Sequence, residues 1–283
     1  MKSVAILYLI LSLLSCDKAD KAVEPNTIDA QTISNVAYGS ESKQKMDIYL
    51  PANRNSTDTK LIVLIHGGGW SAGDKQDFNT FIAELQRRLP NYAIANLNYQ
   101  LAENSNNLFP TQENDIENAI AFLVSKSAEY KISKRYALLG ASAGAHLALL
   151  HAYKHNTDSH IKAVISLFGP TELVSLYNDP IISSLPLLLS GVLGGTPTTK
   201  PAIYQQSSPY NFVSAQSCPT LLFHGGADQV IPASQSTILR DKLAANGVSN
   251  QYVFYPTEGH GWIGVNLTDS FDKVVAFLQQ HMP

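Results

Sequence analysis

The chain has 283 residues, 45% of them hydrophobic and 15% charged, so it carries ample material for a core and lacks the polar excess that keeps chains disordered. Twenty Lys and Arg against 23 Asp and Glu give a formal net charge of −3, and no basic run offers a track for a phosphate backbone, which excludes nucleic acid as an expected partner. Its two cysteines, Cys16 and Cys218, cannot build a disulfide framework and stand in no zinc-type spacing.

The chain opens on Met1-Lys2-Ser3, with one positive charge, followed at 4–14 by a run that is apolar except for Ser12. This run is too short for a stable membrane span and suits the apolar core of a signal peptide. Leu13-Leu14-Ser15-Cys16 resembles the bacterial lipobox. That resemblance implies cleavage before Cys16, lipidation of its sulfur, and an extracytoplasmic lipoprotein anchored to a cell membrane; an ordinary secretory peptide is the alternative. Residues 1–15 are therefore read as signal peptide, 16–30 as a polar tether, and 31–283 as one domain.

From residue 27 onward, short β-rich runs alternate with longer amphipathic stretches, the pattern of an α/β protein. Strands are expected at 33–36, 46–50, 61–66, 93–99, 136–139, 163–167, 220–224 and 251–255. Several of the later ones are continuously apolar, which suits parallel strands covered on both faces. Helices are expected at 78–88, 112–129, 143–153, 233–245 and 269–281, with Asn246-Gly247 closing the fourth. The stretch 172–213 breaks this rhythm with Leu185-Pro186-Leu187-Leu188-Leu189 and repeated Gly and Pro. A structureless loop of that length is unusual, so it is read as an inserted cap of short helices.

Gly140-Ala141-Ser142-Ala143-Gly144 lies between an expected strand and an expected helix, the context of a nucleophile elbow. Side chains at Gly140 or Gly144 would collide with neighbouring elements, and Ser142 is the candidate nucleophile. The run 61–65 leads straight into His66-Gly67-Gly68-Gly69-Trp70. Successive glycines after a strand let backbone N–H groups converge on an oxyanion, so Gly68, Gly69 and Ala143 are the candidate donors.

A serine hydroxyl needs a base, and the base an orienting acid. His260, in Glu258-Gly259-His260-Gly261-Trp262, and Asp228, in His224-Gly225-Gly226-Ala227-Asp228, follow Ser142 in the Ser, acid, His order of α/β-hydrolases. Glu258 is the rival acid, but it shares one loop with the base. His66 and His146 are expected to brace the oxyanion loop or the elbow, and His151, His155, His160, His224 and His281 to be surface or satisfied core residues. Asp74 and Lys75 are candidates for a local ion pair positioning the oxyanion loop, and Asp115 for the first turn of its helix. Cys218 reads as an inert core thiol.

With these residues in place, the chain from about Met46 to His281 resembles the α/β-hydrolase superfamily, and within it the hormone-sensitive-lipase-like esterases and the bacterial acetyl and feruloyl esterase group. Met46-Asp47-Ile48-Tyr49-Leu50-Pro51, Gly73-Asp74-Lys75, Asn98-Tyr99, Phe109-Pro110, Ser208-Pro209 and Val230-Ile231-Pro232 add to the resemblance. Gln100 departs from it, standing where relatives often carry arginine. The resemblance implies a mostly parallel eight-stranded sheet with helices on both faces. It also implies a serine esterase acting through an acyl-enzyme on small acyl esters, with acetyl or feruloyl esters of glycans as candidate substrates. That chemistry calls for no metal and no cofactor. Two other readings stay open: an amide-type hydrolase, arylformamidase- or peptidase-like, on the same triad, and a non-catalytic ligand-binding protein of the same fold.

Overall fold

All eight expected strands form, and they make one sheet. The computed structural model describes residues 27–103 and 105–283; the expected signal peptide, Cys16 and the tether up to residue 26 lie outside the described residues. The strands are β1 (Gln31–Ala37), β2 (Lys45–Leu50), β3 (Leu61–Ile65), β4 (Ala93–Leu97), β5 (Tyr136–Ala141), β6 (Ile161–Leu167), β7 (Thr220–Gly225) and β8 (Asn250–Tyr255). Their order is β1-β2-β4-β3-β5-β6-β7-β8. The β1–β2 and β2–β4 pairs are antiparallel, and every pair from β4 to β8 is parallel.

Parallel neighbours require crossovers, and helices supply them: α1 (Asn79–Arg88), α2 (Thr111–Tyr130), α3 (Ala143–Lys154), α4 (Leu173–Asn178), α5 (Leu185–Leu193), α6 (Pro201–Ser207) and α7 (Ser234–Ala245), with α8 (Gly264–His281) following the last strand. The period-2 alternation of strands divides the core. Leu61, Val63 and Ile65 of β3 pack with Ile116 of α2, Leu147 of α3 and Leu239 of α7. Ile62 and Leu64 face the opposite way, toward Leu85 of α1 and Phe271 and Val274 of α8. Both faces of the sheet are thus covered, which is why the central strands read as unbroken apolar runs.

The expected helices appear within one or two residues except α8, which starts at Gly264 rather than at 269. Its first turn points outward, with Val265 82% exposed, so it carries no inward apolar stripe for periodicity to detect. The 172–213 insertion is made of α4, α5 and α6 followed by a short 3₁₀ turn at Pro209–Phe212, as its composition led us to expect. Glu172 starts it by accepting hydrogen bonds from the free amides of Val174 and Ser175. The loops after β3, β5, β7 and β8 all leave the carboxyl end of the sheet, where ligands of open α/β folds bind.

Candidate active site

The turn from β5 into α3 forces Ser142 to φ 53° and ψ −121°, a left-handed backbone that costs a residue with a Cβ about 1–3 kcal/mol. Surrounding contacts hold it there. The Ser142 amide donates to the Leu167 carbonyl of β6 at 2.9 Å, and the His146 amide closes the first turn of α3 onto Ser142 O at 3.0 Å. Gly144 lies so close to β3 that a Cβ would stand 2.1 Å from the Ile65 carbonyl oxygen. The elbow is therefore pressed against the strand that carries the glycine loop.

Three side chains from three loops meet at this turn. His260 Nε2 lies 2.9 Å from Ser142 Oγ, and His260 Nδ1 lies 2.7 Å from Asp228 Oδ2. A carboxylate only accepts, so Nδ1 carries the hydrogen and Nε2 is left to accept the serine proton. Asp228 Oδ1 also accepts from the Val230 and Ile231 amides at 2.8 and 3.0 Å. Burial alone would raise the Asp228 carboxyl. Hydrogen bonds from His224, His260 and the Val230 amide outweigh it and hold the group well below the usual carboxylate range, so it is anionic beside His260 at neutral pH. Glu258, the rival acid, instead accepts from Asn266 Nδ2 at 2.6 Å.

The glycine loop runs through three successive positive φ values: Gly68 at 107°, Gly69 at 58° and Trp70 at 60°. At Gly68 a Cβ would sit 2.1 Å from the Ala72 carbonyl oxygen, so the turn admits no side chain there. Successive residues of this kind leave their N–H groups facing a common concavity. Within the described residues, the Gly68, Gly69 and Ala143 amides donate to no protein acceptor, and Ala143 is the first residue of α3, where an N–H has no intrahelical partner.

The expected braces are present. The Trp70 indole donates to His146 Nδ1 at 3.1 Å, and His146 Nε2 donates to the Ser207 carbonyl at 2.6 Å, so one buried imidazole ties the glycine loop and α3 to the insertion. His66 Nδ1 donates to the Gly67 carbonyl at 2.7 Å, and its ring stacks on Tyr99, whose hydroxyl donates to His66 O at 3.0 Å.

Two expectations need correction. Asp74 and Lys75 do not pair with each other. Lys75 pairs with Asp47 of β2 in a buried contact, while Asp74 accepts from Asn98 at 2.8 Å and from Lys43 at 3.4 Å; a short turn points adjacent side chains apart, so each finds its partner across the fold. Asp115 is buried rather than spent on a helix end. It accepts from Gln44 at 2.6 Å and from the Gln100 amide at 2.7 Å, anchoring the segment after β4. Cys218 is a buried free thiol pushed up to about 12 by burial, as expected of an inert core residue.

His224 is satisfied in the core, as expected, but its position was not anticipated: its Nε2 lies 3.3 Å from Asp228 Oδ2. The legible signal was a histidine ending a buried strand four residues before the acid.

A pocket of about 500 Å³ opens onto Ser142 and His260, walled by Trp70, Phe168, Leu185, Leu188, Val230 and Ile231. Leu185 and Leu188 come from α5, so the insertion roofs the site. Phe168, its ring 4.5 Å from that of His260, separates this pocket from a second apolar cavity of about 180 Å³ lined by Phe78, Trp262 and Phe271. The arrangement can deprotonate a serine, hold a developing oxyanion and receive an apolar or small group beside it.

Neutral His146 makes a prediction for stability. Burial pushes its imidazole down to about 4, whereas in the unfolded chain it takes a proton near pH 6.5. Between those values the unfolded state binds more protons, so stability is lost as pH falls from about 6.5 to about 4, by up to about 3 kcal/mol from this group. Urea midpoints measured across that range should fall with pH, and the non-titrating His146→Gln should fall less steeply. Parallel slopes in the two proteins would refute the assignment.

Comparison with known proteins places this geometry in context. Esterase LipC of Mycobacterium tuberculosis is 23% identical over 242 residues, covering 80% of this chain and 59% of that protein, so the chain spans less than two thirds of the length of this curated relative. Among solved structures, a bifunctional GH43-CE protein of Bacteroides eggerthii superposes with a TM-score of 0.78 at 24% identity, over 89% of this chain and 38% of its own. A truncated carbohydrate esterase from gut microbiota gives 0.76 at 24% identity, over 89% of this chain and 97% of its own. These superpositions establish the α/β-hydrolase fold. The BD-FAE family model matches residues 46–243, most of the sequence from the second strand to the end of α7, and the chain belongs to the BD-FAE family.

Proposed function

We propose that the protein is a serine carboxylic ester hydrolase acting through an acyl-enzyme on small acyl esters. The observation that carries this reading is the hydrogen-bonded line from Ser142 Oγ through His260 to Asp228, with three undonated amides beside it. In the reaction His260 Nε2 takes the Ser142 proton as Oγ attacks the ester carbonyl. The Gly68, Gly69 and Ala143 amides receive the oxyanion, and Asp228 stabilises the imidazolium. His260 then gives the proton to the leaving oxygen, which departs as the alcohol. Water, deprotonated by the same imidazole, releases the acid and restores Ser142. Loss of one oxyanion donor costs roughly 3 kcal/mol of transition-state stabilisation.

Acetyl or feruloyl esters of carbohydrates are the proposed natural substrates. The names of the two structural neighbours, one a carbohydrate esterase, support this choice, as does an apolar-walled pocket beside Ser142. The test is a panel of p-nitrophenyl acetate, acetylated xylan and methyl ferulate, with an N-formyl arylamine and a peptide p-nitroanilide as amide controls. Turnover of the esters with little of the amides is expected. Amide cleavage without ester cleavage would replace this reading with the amide-hydrolase one, and no turnover at all would leave a ligand-binding protein.

A further inference from the structure

The carboxylate of Asp228 is served by two histidines, and the triad uses only one of them. His224 is the penultimate residue of β7 and is fully buried. Its Nδ1 lies 2.7 Å from Ser236 Oγ of α7; its Nε2 lies 3.0 Å from the Ile231 carbonyl and 3.3 Å from Asp228 Oδ2. A carbonyl and a carboxylate can only accept, so Nε2 carries the hydrogen and Nδ1 accepts from the Ser236 hydroxyl. The two acceptors at Nε2 thereby fix the tautomer, and the Ser236 hydroxyl, able to donate or accept, adapts to it as the donor to Nδ1.

We infer that His224 is a positioning residue for the catalytic acid, and that Ser236, His224, Asp228, His260 and Ser142 form one continuous chain; the inference rests on the esterase reading above. Two effects follow from the geometry. By holding the Ile231 carbonyl, His224 closes the turn from Asp228 to Ile231, whose amides at Val230 and Ile231 grip Oδ1. With Nε2 3.3 Å from Oδ2, the positive end of its N–H also lowers the basicity of the same oxygen that His260 Nδ1 binds at 2.7 Å. An oxygen shared between two N–H donors pulls less strongly on each. His224 therefore tempers the hold of Asp228 on the His260 proton.

A histidine that merely filled the core would need only the Ile231 carbonyl. Among the described residues, His224 and His260 are the titratable groups in contact with the Asp228 carboxylate. His260 meets Ser142 and the Phe168 ring on its other sides, and Glu258 is engaged by Asn266. Ser236 of α7 is uncharged, so no other ionisable group intervenes along the chain.

The test is the pH dependence of kcat/KM on p-nitrophenyl acetate for the full chain and three variants. His224→Leu is expected to move the acid limb up by about half a pH unit, because an Asp228 relieved of one donor holds the His260 proton more tightly. It should also lower kcat about tenfold through the loosened turn. His224→Gln, which keeps an N–H donor near the place of Nε2, should return the limb and most of kcat. Ser236→Ala, which removes the hydrogen bond to Nδ1 that polarises the Nε2–H toward Asp228, should move the limb in the same direction by less. Limbs that coincide with the wild type in His224→Leu and Ser236→Ala, with only a lowered melting temperature, would overturn the inference. Should His224→Leu fail to fold, Ser236→Ala against wild type decides the matter by the same criterion. A wild type without Ser142-dependent turnover removes the esterase reading and this inference with it, whereas an active wild type with unmoved limbs removes the inference alone.

Discussion

Ser142→Ala is expected to lower kcat on p-nitrophenyl acetate by about 10⁴-fold or more while leaving the fold intact. The substitution removes one atom, Oγ, and with it the 2.9 Å contact to His260 Nε2. Alanine keeps the Cβ that serine already holds at φ 53°, so the backbone strain at the elbow is unchanged. The lost hydrogen bond is partly open to water, and its removal changes stability by only about 1 kcal/mol in either direction. The oxyanion donors remain, so a residual rate above the uncatalysed one is expected. The measurement is kcat and thermal midpoint on the same preparation. A variant that keeps a tenth of the wild-type rate would show that Ser142 is not the nucleophile.

The elbow, the glycine loop and the order Ser142, Asp228, His260 were legible in the sequence because each is written in a short local segment. Ser142 needs a sharp turn between a strand and a helix, and glycines at fixed offsets announce it. The run of three glycines after a strand marked the oxyanion loop, and Gly68 at φ 107°, with the Ala72 carbonyl where its Cβ would be, shows why glycine is required there. The sheet was legible for a similar reason: the central strands β3 to β7, buried on both faces, leave nearly continuous apolar runs, and β2 shows the alternation of a strand buried on one face.

What was not legible depends on partners far apart in the chain. Lys75 meets Asp47, and Asp115 meets Gln44, 71 positions away; no spacing in a single sequence announces such pairs. Neighbouring opposite charges at Asp74 and Lys75 suggested a local pair, but adjacent residues in a turn point apart, and the fold offered each a better-placed partner. The role of the insertion was half visible. Its Leu-rich segment signalled a helix, but that Leu185 and Leu188 would face Ser142 follows from how α5 folds back over the sheet. His224 sat in the motif that revealed Asp228, yet its relation to the carboxylate depends on the direction of a side chain at the end of β7.

Gly144→Ala should damage stability and activity together. A Cβ there would lie 2.1 Å from the Ile65 carbonyl oxygen and 2.3 Å from that of His66. Both obstacles are backbone, so no side chain can rotate to make room. The start of α3 must move away from the end of β3, where parallel pairing on both sides fixes the strand. Overpacking against rigid backbone costs about 3 kcal/mol, equivalent to a melting temperature roughly 6–12 °C lower in a domain of this size. The same movement separates Ser142 and the Ala143 amide, on one element, from the Gly68 and Gly69 amides on the other. A displacement of about 1 Å between nucleophile and oxyanion donors is enough to lower kcat about 100-fold. Gly191→Ala provides the contrast: it lies within α5 with nothing within 4 Å of its added Cβ, so the better helix propensity of alanine should stabilise the protein by about 0.5–1 kcal/mol. If Gly144→Ala melted and turned over like the wild type, the close approach of α3 to β3 would have no part in aligning the site.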